Sequence, residues 1–322
     1  MRQMKNTLLI LGAGSTKDFC DIFPVGSELI RDINYHFLTE LKFQRVKPEN
    51  GIYLSPMMNE TWRIFSSETN FLNEIKNRIW NIQLEYEFKY IRRNEVIPTS
   101  IDRFIQNELE RATLDNKAIP IIKYSICYLI KGSEQALSEG SHKLEDNWIK
   151  TLVAKLSKYS FVDVSRNLKI INFNYDRVFL KYFSDYAQFA WPEIKNDEIQ
   201  SFLSKIISPY GTLGSLGELP FCLPNDQTSL MKSTYDRIKL ADERNNTIIN
   251  IDNCEKINEL HFIGFGYDPT NLEKINISQF CNARFSGTGY GMNKKIRRSI
   301  QKEHGIKIRN LSCNKYINAA DL

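Results

Sequence analysis

The sequence predicts an α/β fold, a parallel sheet flanked by helices, with an all-helical small lobe inserted into it. Three observations carry that expectation. The chain has four short, continuous apolar runs, each run ends in glycine- or asparagine-rich turns, and a long stretch of helical periodicity separates the first run from the second. Continuous apolar runs, unlike alternating ones, suit strands buried on both faces of a sheet.

The runs are Thr7 to Leu11, Leu168 to Phe173, Leu260 to Phe265 and Ile306 to Leu311. The first follows a basic start and has the outline of a signal peptide. At five residues, and leading straight into a glycine turn, it reads as a buried strand. The third and fourth runs are separated by a helix-length stretch, as a βαβ crossover requires. Between about residues 50 and 165 the character changes. Trp62 to Arg93 places Phe71, Ile75, Ile79, Ile82 and Leu84 at helical spacing, and Thr99 to Asp102 fits a capping box. Ile119 to Leu137 is a further helical run. The expected division is a core from residues 1–50 and 165–322 and a helical insertion lobe at 50–165. Residues 209 to 235, rich in Gly, Pro, Ser and Asn, read as loop.

Bulk properties narrow the class. With 322 residues, 42% hydrophobic and 25% charged, the chain supports one large core plus a subsidiary lobe. A net charge of +5 permits contact with nucleic acid without demanding it. No stretch reaches the roughly 20 apolar residues that span a bilayer, so a cytoplasmic protein without membrane contact is expected. The six cysteines are scattered and none forms a Cys-x-x-Cys pair. That argues against structural zinc, and the cysteines read as reduced thiols, mostly buried.

Several motifs carry chemistry. Gly12-Ala13-Gly14-Ser15-Thr16 follows the first strand. A glycine-rich strand-to-helix turn brings backbone N–H groups to a pyrophosphate, or is simply a tight turn. With Lys17 where a third glycine would stand, it departs from the dehydrogenase fingerprint. Asn172-Phe173-Asn174-Tyr175-Asp176 ends the second run, where open α/β sheets face their ligand. Asn174 offers an amide for a ribose hydroxyl or a water, and Asp176 a carboxylate near a leaving group. The alternative is an Asx turn closing a strand. Ser208 to Gly217 is a glycine loop, Gly264 to Asn271 a strand ending in glycines, and Gly287 to Gly291 a third glycine cluster. Lys294-Lys295-Ile296-Arg297-Arg298 reads as the solvated face of a helix, and direct nucleic-acid contact is not expected.

Taken in order, these features resemble the sirtuin superfamily, and more narrowly the sirtuin-like domains of bacterial anti-phage defence systems. The motifs behind the resemblance are Gly12-Ala13-Gly14 with Lys17-Asp18 and Phe23-Pro24-Val25-Gly26, the intact Phe173-Asn174-Tyr175-Asp176, and Gly264 to Asn271. The resemblance spans essentially the whole chain, most loosely in the helical insertion. It implies a Rossmann-like, NAD-binding core and a zinc-free branch of the family. By position, Gly12, Ala13, Gly14 and Thr16 would line the pyrophosphate and ribose, with Ser15 and Asp18 beside them. Asn174 would hold the nicotinamide ribose and Asp176 would face the carboxamide. Gly264, Gly266, Gly287 and Thr288 would contact the adenosine half, flanked by Phe265, Tyr267, Gly211 and an adenine loop at Cys313.

Two departures bear on activity. No four-cysteine module is present, so cleavage of NAD with water as acceptor is the simpler assignment, with no metal. The family's catalytic histidine precedes a glycine, and that position here is Tyr210, with Ser208 two residues earlier. Among the four histidines, His36 and His142 lie in helical or loop surroundings, His304 precedes the last strand, and His261 reads as a core residue. The expected function is a gated NAD glycohydrolase using Asn174, Asp176, Tyr210 and Ser208. Its ligands would be NAD and ADP-ribose, and it would be homo-oligomeric beside a HerA-type DNA translocase or another defence partner. The alternatives are a sensor that binds NAD or ADP-ribose without turnover, and an assembly subunit with a vestigial pocket.

Overall fold

The computed structural model describes residues 4–33, 101, 103, 119–140, 146–222, 234–240 and 248–321. The helical expectation for Trp62 to Arg93, most of the capping box at 99–102, and the surroundings of His36 and His142 lie outside the described residues. The chain divides into two compact units: residues 1–23, 136–212 and 246–322, and residues 24–135 and 213–245. This division differs from the expected 1–50, 50–165 and 165–322. The helix Trp148–Leu156, inside the bounds expected for the inserted lobe, packs against other helices of the first unit.

The first unit is a five-stranded, all-parallel sheet of order β2-β1-β3-β4-β5. Its strands are β1 (Thr7–Leu11), β2 (Leu168–Asn172), β3 (Glu259–Ile263), β4 (Arg284–Thr288) and β5 (Lys307–Arg309). Every residue of β1 and β3 is buried, as the apolar run of β1 demands, and in β3 the burial takes in Glu259 and His261 as well. A single parallel bridge from Ile207 to Ile171 adds a rudimentary edge beside β2. Counted in chain order, that bridge makes the spatial order 3-2-1-4-5-6, the arrangement of the Rossmann-like dinucleotide-binding fold. In such sheets the order reverses beside the first strand, and the crevice beyond its carboxyl end receives ligands.

Three of the expected runs match β1, β2 and β3 to within two residues at either end. The fourth shortens to Lys307–Arg309. One correction is needed between them. The connection from β3 to the last strand is not a single crossover, because β4 intervenes. The sequence hides β4 because Arg284-Phe285-Ser286-Gly287-Thr288 holds one large apolar side chain, and its first three residues are not fully buried. Lys307 on the exposed edge strand discourages pairing with another chain.

The helices of this unit are α1 (Ala13–Phe19), α3 (Trp148–Leu156), α4 (Phe161–Asn167), α5 (Val178–Ala190), α6 (Asn196–Leu203), α7 (Pro269–Ile275), α8 (Lys294–His304) and α9 (Cys313–Ala319). Asn147 caps α3 by accepting from the Lys150 amide at 2.9 Å. α3 packs between α5 and α9. Its Lys155 ammonium donates to the Ile317, Asn318 and Ala320 carbonyls at the end of α9, which leaves those groups satisfied.

The described part of the second unit holds α2 (Ile119–Ser138) up to Gln135, a helical stretch at 26–33, and loop at 213–222. Its core includes Tyr124, Ile126, Cys127 and Ile130. Lys131 is buried, paired with Glu134 at 3.3 Å, and donates to the Phe221 carbonyl at 2.6 Å. Among the described residues no helix is long and apolar enough to cross a membrane.

The closest backbone approach in the first unit gives a direct test. Gly264 has φ +58, and a methyl group on it would overlap the Ser15 amide. Gly264→Ala is expected to cost about 2–4 kcal/mol through overlap and left-handed strain. Gly266→Ala, exposed and with nothing within 4 Å of the added carbon, is expected to stay within about 0.5 kcal/mol. Urea unfolding midpoints of the two variants check the contrast, and equal losses would refute it.

Candidate functional site

The carboxyl ends of β1, β2, β3 and β4 and the start of α9 gather most of the sequence-predicted residues within the first unit. The β1–α1 turn lies directly on the end of β3. The Gly12 amide donates to the Ile263 carbonyl at 3.0 Å, the Gly14 amide to the Gly264 carbonyl at 2.9 Å, and the Ser15 amide to the Gly12 carbonyl at 2.8 Å. A methyl on Gly12 would sit 2.7 Å from the Gly264 oxygen, and one on Gly14 2.8 Å from it. Gly12, Gly14 and Gly264 therefore allow two loops to touch, and three of the turn's amides already have protein acceptors. Gly266 differs: it is exposed and borders open space.

Asn174 sits at the centre. Its Nδ2 donates to Thr16 Oγ1 at 3.0 Å and to Ser15 Oγ at 3.3 Å, and both hydroxyl-bearing residues are buried. The Asn174 amide donates to Asn172 Oδ1 at 3.1 Å, and the Val178 amide to Asp176 Oδ1 at 3.0 Å. Both flanks of the segment are thus Asx turns, and Asp176 is buried where α5 begins. The Asn174 side chain lies between those turns. It is 4% exposed, and its Oδ1 is buried with no hydrogen-bond partner. A buried acceptor without a donor is rare and costly, which makes Asn174 Oδ1 a candidate contact for a donating ligand or water.

Tyr210 is 3% exposed, with its ring edge-on to Phe173 at 5.3 Å and stacked on Tyr175 at 6.3 Å. Its hydroxyl donates to Asn271 Oδ1. Ser208 lies in the same turn, where its carbonyl accepts from the Gly211 amide at 3.0 Å and Gly211 adopts φ +66.

The β4 end closes the other flank. Thr288 Oγ1 accepts from the Gly264 amide at 2.7 Å, and the Thr288 carbonyl accepts from the Tyr267 hydroxyl at 2.9 Å. Tyr267 has φ +54, uncommon for a bulky side chain, and is held there between Phe262 and Phe265. A side chain at Gly287 would overlap the Tyr267 hydroxyl. Phe265 packs edge-on to Phe173 at 5.3 Å, tying β3 to the Asn174 segment. At α9, the Cys313 amide donates to Asp18 Oδ2 at 3.1 Å, and the thiol lies 4.0 Å from the Gly14 carbonyl.

Three ionisable groups here, Cys313, Tyr267 and Asp18, move towards neutrality. Desolvation pushes the Cys313 thiol up, assisted by the neighbouring Asp18 carboxylate, so it stays protonated and unreactive. Desolvation also holds the Tyr267 phenol well above its ordinary value. Asp18 is raised by desolvation, opposed by hydrogen bonds from the Asn314 and Cys313 amides. Among the described residues no group of three or more His, Cys, Asp or Glu is placed to hold a metal ion.

Some contributors escape sequence reasoning. Trp148, 1% exposed on α3, donates its indole N–H to the Ser15 carbonyl at 2.8 Å and so fixes the glycine turn from 133 residues away. Asn271, the partner of Tyr210, falls inside a quoted motif but has no local mark of that role. No family model matches the chain, and no curated protein matches it.

His261 is a core residue of β3, as its place in an apolar run suggests. Its Nδ1 shares hydrogens with the Tyr316 hydroxyl at 2.8 Å and Ser286 at 3.2 Å, while Nε2 is buried without a partner. Desolvation pushes its pKa down to about 4. The unfolded value is about 6.5, so between those values the unfolded chain takes up a proton that the folded chain refuses. Stability falls as pH drops from about 6.5 to 4, by roughly 3 kcal/mol in all, and this contribution flattens below. Urea unfolding at pH 7, 5.5 and 4.5 is expected to show that component in the native chain and not in His261→Gln. Parallel pH profiles for the two proteins would disprove it.

Proposed function

We propose that the chain is a sirtuin-like NAD glycohydrolase, with NAD lying across the carboxyl ends of β1, β3 and β4 as substrate. The single observation that carries this reading is Asn174. Its amide nitrogen is fixed by Ser15 and Thr16, which turns an unpartnered buried oxygen towards the site. A ribose hydroxyl is the donor that such an acceptor fits, and supplying it relieves a penalty of about 1–3 kcal/mol. The strand order of the Rossmann-like sheet and the open space at Gly266 support the same reading.

In the proposed reaction the C1′–N bond of the nicotinamide ribose breaks, and its electron pair leaves on nicotinamide, which becomes neutral. A water oxygen bonds to C1′, giving ADP-ribose and one proton. Asn174 orients the ribose, and the aromatic cluster of Phe173, Phe265 and Tyr267 excludes other water. On the resemblance set out above, the activity would be cytoplasmic and gated in anti-phage defence by self-assembly or by a partner such as a HerA-type translocase.

A binding-only role is favoured by one observation: the Tyr210 hydroxyl, at the histidine position, is already given to Asn271. Nicotinamide release and calorimetric NAD binding by the full chain separate the readings. Turnover is expected in the native protein, alone or with its partner. Asn174→Ala is expected to slow turnover at least tenfold and to weaken NAD binding about 5- to 100-fold. Binding without release in either condition assigns the sensor role, and absence of both removes NAD from the account.

A further inference from the structure

The chain's excess positive charge is concentrated in one helix and the strand after it. From Lys294 to Arg309 there are seven Lys and Arg residues and one acid, Glu303, a net of +6 against +5 for all 322 residues. The remainder of the molecule is thus slightly acidic. Within α8, Lys294, Arg298 and Lys302 recur at every fourth position and form one stripe opposite the buried Ile300. All three are exposed, as are Lys295 and Lys307. Among the described residues none of these five has an ion-pair partner. Arg309 differs in lying over the Tyr316 ring, 6.0 Å from its centre.

This arrangement works against the helix that carries it. Like charges at i and i+4 destabilise a helix by about 0.2–0.5 kcal/mol per pair, and no acid stands in the first turn to offset Lys294 and Lys295 at the positive end of the dipole. A polyanion turns each of these unfavourable terms into a favourable one. Just before the helix, Tyr290 is 75% exposed on a turn closed by the bond from the Met292 amide to the Gly289 carbonyl. Gly289 is itself pinned, its amide donating to the Arg309 carbonyl at 2.8 Å. The tyrosine ring is therefore presented beside the basic stripe on an ordered support.

We propose that α8, Lys307 and Tyr290 form a binding surface for single-stranded nucleic acid, with the cations gripping successive phosphates and Tyr290 stacking on an unpaired base. The helix rises about 6 Å over four residues, so the three stripe cations span about 12 Å and can follow a strand. The exposed aromatic ring favours unpaired bases over a duplex, whose bases are already stacked. An anionic membrane fits less well. Ile300 is buried and Ile296 is the one exposed apolar residue of α8, so the helix lacks the apolar stripe that insertion needs.

The test uses the full chain and a fluorescein-labelled dT20 oligonucleotide, read by anisotropy from 50 to 300 mM salt. Binding is expected to weaken with salt at a log–log slope of about −3 or steeper, the mark of four or more phosphate contacts. The triple variant Lys294→Gln, Arg298→Gln, Lys302→Gln is expected to bind at least tenfold more weakly, with a slope shallower by about 2. Tyr290→Ala is expected to weaken dT20 binding at least fivefold while leaving the dA20·dT20 duplex unaffected. These side chains are exposed and glutamine is a good helix former, so thermal unfolding of the variants is expected to match the native chain. The proposal is overturned if dT20 does not bind at 50 mM salt, or if the triple variant binds it as the native chain does. It is equally overturned if the duplex binds more tightly than dT20, or if phosphatidylserine vesicles bind through α8 where dT20 does not.

Discussion

Gly14 and Gly264 meet backbone to backbone, and the arrangement of the sheet's carboxyl edge follows from that meeting. Gly264 can turn its carbonyl onto the Gly14 amide because it adopts a left-handed conformation, and it can come that close because neither residue carries a Cβ. The same contact sets the height of the β1–α1 turn over β3. Trp148 then holds the turn from α3, Thr288 holds Gly264 from β4, and Asp18 carries α9 from α1. Five segments that are remote in sequence are thereby referenced to one peptide.

That economy has a chemical consequence. In a nucleotide-binding turn of the usual kind, free backbone amides receive the phosphates. Here the Gly12, Gly14 and Ser15 amides are bonded to protein carbonyls, so in the proposed site recognition would fall to side chains. Ser15 and Thr16 orient the Asn174 side chain, Asn172 fixes its backbone, and the one buried atom of the cluster with no partner at all is the Asn174 carbonyl oxygen. Cys313, Tyr267 and Asp18 are displaced towards their neutral forms, the first two deeply so. A site of this kind selects by hydrogen-bond geometry more than by charge. That suits a neutral sugar hydroxyl and gives little acid–base assistance to the chemistry beyond it.

The legible part of the fold is the part that burial writes directly into composition. β1 and β3, covered on both faces, are dominated by apolar residues, with only Glu259 and His261 interrupting β3, and their ends are readable to within two residues. β4 is not, because a strand near the edge of the sheet needs fewer apolar residues, and Gly287 is dictated by the Tyr267 hydroxyl and not by strand propensity. At the site, residues fixed by local geometry are visible in the sequence: the glycines, and Asn172 and Asp176 in their Asx turns. Their partners are not. The indole of Trp148 and the amide of Asn271 act across folds of the chain, and helical periodicity at 148–156 says only that α3 is amphipathic. Nor does spacing reveal that Tyr210 spends its hydroxyl on Asn271, because that pairing depends on how the turn at Tyr210 meets α7.

The distribution of charge adds a constraint that composition alone conceals. A net +5 over 322 residues looks like a dilute surface property, yet one helix and the strand after it hold more than all of it. Exposed charges are screened over about 8–10 Å at physiological salt, so this field acts locally and not across the whole molecule. Its position along the chain is therefore what matters. Lys294 lies six residues beyond Thr288, the residue that anchors Gly264, and the turn between them is tied down by Gly289 bonding to Arg309. Gly289 also has no room for a side chain, with Ile308 and Arg297 packed against it. A rigid, glycine-dependent connector thus joins the basic helix to the β4 side of the Asn174 site. Thr288 in turn accepts from the Gly264 amide, so α8 stands one short connector away from the peptide against which the turn bearing Ser15 and Thr16 is set.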